Sequence, residues 1–321
     1  MAPTRTLGNS DLSVSPIGLG GNVFGWTADE PTSHRILDAY VDAGGNFIDT
    51  ADGYSHWAEG HVGGESETVI GTWLADRGRR DDVIIATKVA TKPGREGLAA
   101  GNIRAALDES LERLHTDHVD VYYAHFDDPN TPLEETVAAF EEARAAGKTR
   151  YVALSNYTPD RVEEWCAIAA ANDFAAPVAL QPHYNLVHRR DVEGPGNRGE
   201  VAAAHQLGMV PYFALAAGFL TGKYRPAAEA GAEVASPRGG WVEDYLRPEC
   251  FAVVDVLREV AAAHDVAPAA VALAWLRDRP GVVAPLASAR TLEQLGPIVD
   301  ALTLALTADE TAALTRASDQ V

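Results

Sequence analysis

Sulfur and positive charge are what this chain has least of. Two cysteines, Cys166 and Cys250, occur among 321 residues, which excludes a disulfide framework. Cys166 lies in the helical pattern Val162-Trp165-Cys166-Ala169 and reads as a small buried apolar residue. Lysine and arginine number 26 against 46 aspartates and glutamates, a formal net charge of −20. That balance opposes a large nucleic-acid footprint and an anionic membrane surface, and leaves room only for a small basic pocket. No apolar run is long enough to span a bilayer. The start, Met1 to Ser15, is polar and turn-rich, without a signal-peptide apolar region, so the expected location is the cytoplasm. Also missing are a P-loop signature and a Gly-x-Ser-x-Gly elbow around Ser155, which argues against a serine hydrolase.

What is present is a repeating alternation of short apolar strands and helices. Thr6-Leu7 and Leu12-Ser13-Val14 flank Gly8-Asn9-Ser10-Asp11, a small N-terminal hairpin. Strands are then expected at Ile17–Gly20, Phe47–Asp49, Val83–Lys88, Val119–His125, Tyr151–Ser155, Val178–Gln181, Met209–Ala214 and Val282–Leu286. Helices are expected between them, at Thr32–Ala43, Ser66–Leu74 with Ser66 as N-cap, Ala99–Leu114, Leu133–Ala146 closed by Gly147, and Pro159–Ala170. Glu200–Leu207 closed by Gly208, Glu249–His264, Pro268–Arg279 and Leu292–Val299 continue the pattern, and Thr307-Ala308-Asp309-Glu310 opens a C-terminal helical tail. Arg225 to Arg247 is a long irregular segment rich in Pro, Gly and Ala. The strands lack polar alternation, as parallel strands buried on both faces do. Eight such units predict an α/β protein, a (β/α)8 TIM barrel formed by 1–321 as a single domain. A doubly wound open sheet is the runner-up, weakened by the lack of a Gly-x-Gly-x-x-Gly turn.

In a barrel, chemistry gathers where strands end. Phe47-Ile48 runs into Asp49, with Tyr54 just beyond and Gly53 turning the loop back. A buried carboxylate needs a cation, and the third strand ends in Lys88. The fourth ends in His125, the fifth in Ser155-Asn156, the sixth in Gln181, and the seventh carries Tyr212. Lys88 held by Asp49 favours the phenolate of Tyr54, so that Tyr54 can hand a proton to a carbonyl oxygen as hydride reaches carbon. Neutral His125 can orient the same oxygen by a hydrogen bond. Ser155, Asn156 and Gln181 suit a carboxamide, and Tyr212 offers a face for a nicotinamide ring.

With these residues in order, the sequence resembles the aldo-keto reductases. The resemblance rests on Ile17-Gly18-Leu19-Gly20-Gly21, on Phe47 to Tyr54, on Gly64-Glu65-Ser66-Glu67, and on Ala86-Thr87-Lys88. It continues through Val119 to His125, Leu154-Ser155-Asn156-Tyr157, Tyr184-Asn185-Leu186 and Gly218 to Tyr224. It covers nearly the whole chain from Leu7 and looks closest to a bacterial branch that also resembles potassium-channel β subunits. The resemblance implies NADPH, with NADH possible, and a catalytic tetrad of Asp49, Tyr54, Lys88 and His125. It implies cofactor contacts from Gly21, Asn22, Asp49, Ser155, Asn156, Gln181 and Tyr212. The pyrophosphate is expected along Leu215, Ala217 and Gly218 with Lys223 nearby, and the adenosine end at Ser288, Arg290 and Gln294. The chain departs from the family pattern at Phe213-Ala214-Leu215, at Ala287-Ser288-Ala289-Arg290 and at Ile298.

The expected activity is reduction of an aldehyde or ketone, with a small carbonyl compound as partner and no nucleic acid or membrane. The alternative is a cofactor-sensing module, like a channel β subunit, with incidental turnover. No metal site is expected, because His56, Glu59 and His61 lack zinc-ligand spacing. Glu65 and Glu67 read as residues placed by the dipole of a helix start. Phe24, Trp26, Trp57, His61 and Phe126 are candidates for an aromatic mouth, covered by Trp241 and Tyr245.

Overall fold

The computed structural model describes residues 3–225 and 239–321, so most of the irregular segment expected at Arg225 to Arg247 lies outside the described residues. An antiparallel hairpin, β1 (Arg5–Thr6) with β2 (Ser13–Val14), comes first. Eight parallel strands follow in one sheet: β3 (Gly18–Gly20), β4 (Phe47–Asp49), β5 (Ile84–Val89), β6 (Val119–Ala124), β7 (Thr149–Ser155), β8 (Ala179–Gln181), β9 (Gly208–Met209) and β10 (Leu286–Ala287). Each strand neighbours the next in sequence, and β10 returns beside β3. Met209 bridges Val282 in parallel, with Met209 N donating to Gly281 O and Val283 N to Met209 O, and this closes the (β/α)8 barrel.

The hairpin plugs one end. Leu7, Leu12 and Val14 are buried in one apolar cluster with Phe47, Ile84, Val121, Ala153, Val178 and Val210 from the barrel interior. The opposite end, where the strands terminate, is left for polar side chains. Around the strands lie α1 (Glu30–Asp42), α2 (Glu65–Arg77), α3 (Ala100–Leu114), α4 (Leu133–Ala145), α5 (Pro159–Ala171), α6 (Arg198–Ala204), α7 (Pro248–His264), α8 (Pro268–Arg277) and α9 (Leu292–Asp300). The tail helix α10 (Ala308–Ser318) starts from a capping box between Thr307 and Glu310 and packs on α7. Among the described residues no single helix is long and apolar enough to cross a membrane.

Several local expectations change. The first helix begins at Glu30 because Asp29 is the N-cap, accepting from Thr32 N, and Pro31 fits its first turn. Ser66 is no cap: α2 starts after Gly64, and the Ser66 hydroxyl donates inward to Gly21 O at 2.8 Å. Gly208 does not close a helix; α6 ends at Ala204 and Gly208 opens β9. The strand expected at Met209–Ala214 stops early because Pro211 has no N–H to donate and Phe213 turns left-handed at φ 51°. Likewise the last strand is Leu286–Ala287 rather than Val282–Leu286, the earlier part contributing only the closing bridge.

Candidate active site

Asp49 ends β4 and Lys88 lies near the end of the neighbouring β5, so both side chains meet at the strand tips. Lys88 Nζ donates to Asp49 Oδ2 at 2.5 Å, to Thr50 O at 2.8 Å and to Tyr54 Oη at 2.9 Å. Its three protons are thereby all used, on three oxygens. Tyr54 Oη also donates to Asp49 Oδ2 at 3.2 Å, and Gln181 Nε2, from the end of β8, donates to Asp49 Oδ1 at 3.0 Å. Lys88 is wholly buried, and burial pushes its pKa down while Asp49 pulls it back up. Tyr54, by contrast, is half-buried and opens onto a cavity.

His125 follows β6, and its ring centroid lies 6.1 Å from that of Tyr54. Burial, with Lys88 and then His56 adding positive charge nearby, holds its pKa well below the usual imidazole value, so it is neutral. Thr91 Oγ1 approaches its Nδ1 at 3.5 Å. Asn156 joins the next layer: Nδ2 donates to His125 O at 2.9 Å and to Ser155 Oγ at 3.1 Å, and Oδ1 accepts from Tyr212 Oη at 2.8 Å. Asn156 holds φ at 63°, an uncommon backbone region that such sites often contain. Ser155 Oγ in turn donates to Gln181 O at 3.1 Å.

A cavity of about 650 Å³ runs from these groups along the barrel mouth. Its wall passes Asp49, Tyr54, His125, Ser155, Asn156, Gln181 and Tyr212, then Leu215, Ala217, Gly218 and Lys223, and ends at Asn22, Ser288, Arg290 and Gln294. Asn22 and Ser288 are joined across β3 and β10, Ser288 Oγ donating to Asn22 Oδ1 at 2.6 Å. Ala216, Ala217 and Gly218 are all left-handed, two of them without the freedom of glycine. A Cβ on Gly218 would sit 3.1 Å from Lys223 Nζ. Gly21 and Lys88 do not reach the wall: Gly21 N donates to Asp49 O, and Lys88 stands behind Tyr54.

Some wall residues had no sequence signal. Ala267 and Ala269 bring the start of α8, the positive end of its dipole, to the cavity, and alanine carries no chemical mark of that. Pro297, also without a signal, joins Ile298, already marked as a departure from the family pattern, in an apolar end wall. Of the aromatic candidates, Trp26, Trp57, Phe126 and Trp241 line the cavity, whereas Phe24 is fully buried core and His61 and Tyr245 face elsewhere. Glu67 does lie in the first turn of α2, as expected, but the dipole is not its main partner. It is buried, accepting from Arg113 Nε at 2.7 Å and from Thr87 Oγ1. His56 Nδ1 lies against Gly53 O, and among the described residues no three His, Cys, Asp or Glu side chains gather as a metal site.

A (β/α)8 barrel with polar strand ends opening on one elongated cavity belongs to the class of barrel oxidoreductases once its sequence kin are considered. Residues 16–319 match the Aldo/keto reductase family, and the chain belongs to that family. It is 33% identical to "Protein tas" of Escherichia coli, over 94% of this chain and 93% of that one. It is 35% identical to "Uncharacterized oxidoreductase YrpG" of Bacillus subtilis, over 94% and 91%. A "Probable voltage-gated potassium channel subunit beta" of Oryza sativa is 33% identical, over 91% and 88%. The protein is therefore an oxidoreductase of a family that generally uses NAD(P)H and acts on small carbonyl compounds.

Proposed function

We propose that the protein reduces an aldehyde or ketone to an alcohol, with NADPH as reductant and Tyr54 as proton donor. The observation that carries this is the single lysine ammonium shared by Asp49 Oδ2 and Tyr54 Oη, at 2.5 and 2.9 Å. The cavity fits an elongated dinucleotide: a flat ring at Tyr212, amide and hydroxyl groups at Ser155 and Asn156, a left-handed turn beside Lys223, and a guanidinium at Arg290. A reduced nicotinamide held by these residues would supply the hydride that reaches the carbonyl carbon.

The chain's own groups do the rest. Tyr54 gives its Oη proton to the carbonyl oxygen, and the charge left on Oη is met by Lys88 Nζ, already in place. Asp49 keeps Lys88 charged against its burial, and Gln181 holds the other oxygen of Asp49. Neutral His125 donates a hydrogen bond to the carbonyl oxygen, a role a charged imidazole would complicate by competing as an acid. Asn156 ties Tyr212 and His125 into one rigid layer, so the ring platform and the orienting group keep a fixed relation.

The test is a panel of aldehydes, ketones and sugars with NADPH and NADH, followed at the nicotinamide absorbance band. Turnover of at least one carbonyl that is faster with NADPH supports the reading. Tight NADPH binding with slow turnover of every carbonyl would favour a cofactor-sensing module instead, the second reading that the likeness to named channel subunits keeps open.

A further inference from the structure

The segment that re-enters the described residues at 239 turns two side chains inward, Val242 and Tyr245. Two short 3-10 turns, Gly239–Trp241 and Glu243–Tyr245, run over the barrel mouth, held by Tyr245 N donating to Val242 O. Trp241 points to the cavity, its ring 6.2 Å from Trp57 and 5.9 Å from Phe213, and Trp57 in turn lies 6.0 Å from Tyr54. Tyr245, four residues on, points the other way and is 8% exposed. Its Oη meets His183 Nε2 at 3.0 Å.

The direction of that hydrogen bond follows from the neighbours. Asn185 Oδ1 accepts from Val187 N at 2.9 Å, which fixes the amide so that Nδ2 faces the other way. Asn185 Nδ2 donates to Phe213 O at 2.9 Å and lies 3.4 Å from His183 Nε2. An amide nitrogen has no lone pair to offer, so His183 Nε2 is a bare acceptor and the Tyr245 hydroxyl is the donor. His183 cannot swing away: its ring is stacked on His188 at 3.8 Å and lies at 5.4 Å and 26° to the Tyr212 ring. Burial, and then the neighbouring His188, lower its pKa to about 4 against a small opposing pull from Asp191, so the acceptor persists at neutral pH.

We infer that the Tyr245–His183 hydrogen bond is a latch that sets Trp241 as the roof of the carbonyl pocket, making both residues positioning residues for planar apolar substrates. The roof completes a wall of Trp26, Trp57, Phe126 and Phe213, whose ring faces suit an aromatic carbonyl compound and give a small aliphatic one little to hold. The inference rests on the reading of Tyr54 as the carbonyl site. Its structural half, the latch, stands apart from any activity.

Tyr245→Phe removes the hydroxyl and keeps the ring, including its packing near Phe219 at 6.0 Å. Amide hydrogen exchange across 239–247 should then speed up several-fold while exchange in the barrel strands is unchanged. KM for 2-naphthaldehyde should rise roughly 5- to 10-fold, the scale of one neutral hydrogen bond. kcat, the kinetics with propanal and NADPH affinity should all hold. His183→Phe, which removes the acceptor instead, should reproduce the pattern. Unchanged exchange overturns the latch, and faster exchange with no KM shift, or an equal loss for both aldehydes, overturns its role in specificity. A wild-type enzyme that reduces neither aldehyde refutes the proposed function, and the exchange result then decides the latch alone.

Discussion

Gln181 Nε2 donates to Asp49 Oδ1 at 3.0 Å, on the carboxylate oxygen that Lys88 and Tyr54 leave free. Asp49 is thus satisfied from two strands, by a cation from β5 and an amide from β8, and its geometry does not depend on the lysine alone. Gln181→Leu keeps the approximate volume and removes the donor, leaving one oxygen of a buried carboxylate without a partner. The expected cost is about 1–3 kcal/mol in unfolding free energy, the range for a lost hydrogen bond to a charged group. Chemical denaturation checks it, and carbonyl reduction should fall with it. Unchanged stability would mean that the amide contributes nothing to holding Asp49.

Lys88→Met strands Asp49 in the barrel mouth without its cation. Removing one partner of a buried pair is expected to cost on the order of 3–5 kcal/mol and to abolish most activity. Adding Asp49→Leu should restore stability while leaving activity absent. A double variant less stable than either single one would contradict the pairing.

Asp52 gives a pH prediction outside the reacting groups. Its side chain is buried, neither oxygen has a hydrogen-bond partner among the described residues, and burial followed by Glu67 raises its pKa to about 8. The folded state then holds a proton on Asp52 that the unfolded chain has lost above its ordinary value of 3.8. Stability from this group is therefore full in acid and falls as pH climbs from about 4 to about 8, where the carboxyl ionises in the fold. Asp52→Asn should remove that slope, so that its stability relative to wild type rises between pH 4 and pH 8 at up to about 1.4 kcal/mol per pH unit. Thermal melts of both proteins across that range measure it.

Much of this site was legible because strand ends are short-range features. Asp49, Lys88, His125 and Gln181 each close an apolar run, and the parallel barrel turns that linear fact into convergence. The Glu67–Arg113 pair was not legible, since its partners stand 46 residues apart on neighbouring helices and a glutamate in a first helical turn already has an ordinary explanation. Gly64 hides a similar fact: a Cβ there would lie 2.7 Å from the Arg113 side chain, a contact no local pattern announces. The latch was invisible for a further reason, because Tyr245 and His183 meet through the tilt of two irregular segments.

Arg290 lines the far end of the cavity, and its guanidinium forms no ion pair with another described residue. In a chain of net charge −20, a local cation would be needed to hold an extra phosphate dianion there. Arg290→Ala is expected to weaken NADPH by about 1.5–3 kcal/mol and leave NADH almost unchanged. Quenching of protein fluorescence gives both dissociation constants. An equal loss for the two cofactors, or none for either, would remove Arg290 from the choice between them.

The role of Tyr54 is tested most directly by single-turnover reduction of an aldehyde in Tyr54→Phe preloaded with NADPH. The ring still fills its place and only the hydroxyl that touches Lys88 and Asp49 is lost. The hydride-transfer rate should fall by roughly 100-fold or more, as when a general acid is removed, with NADPH affinity little changed. A rate close to wild type would show that the proton comes from elsewhere and that Tyr54 is not its donor.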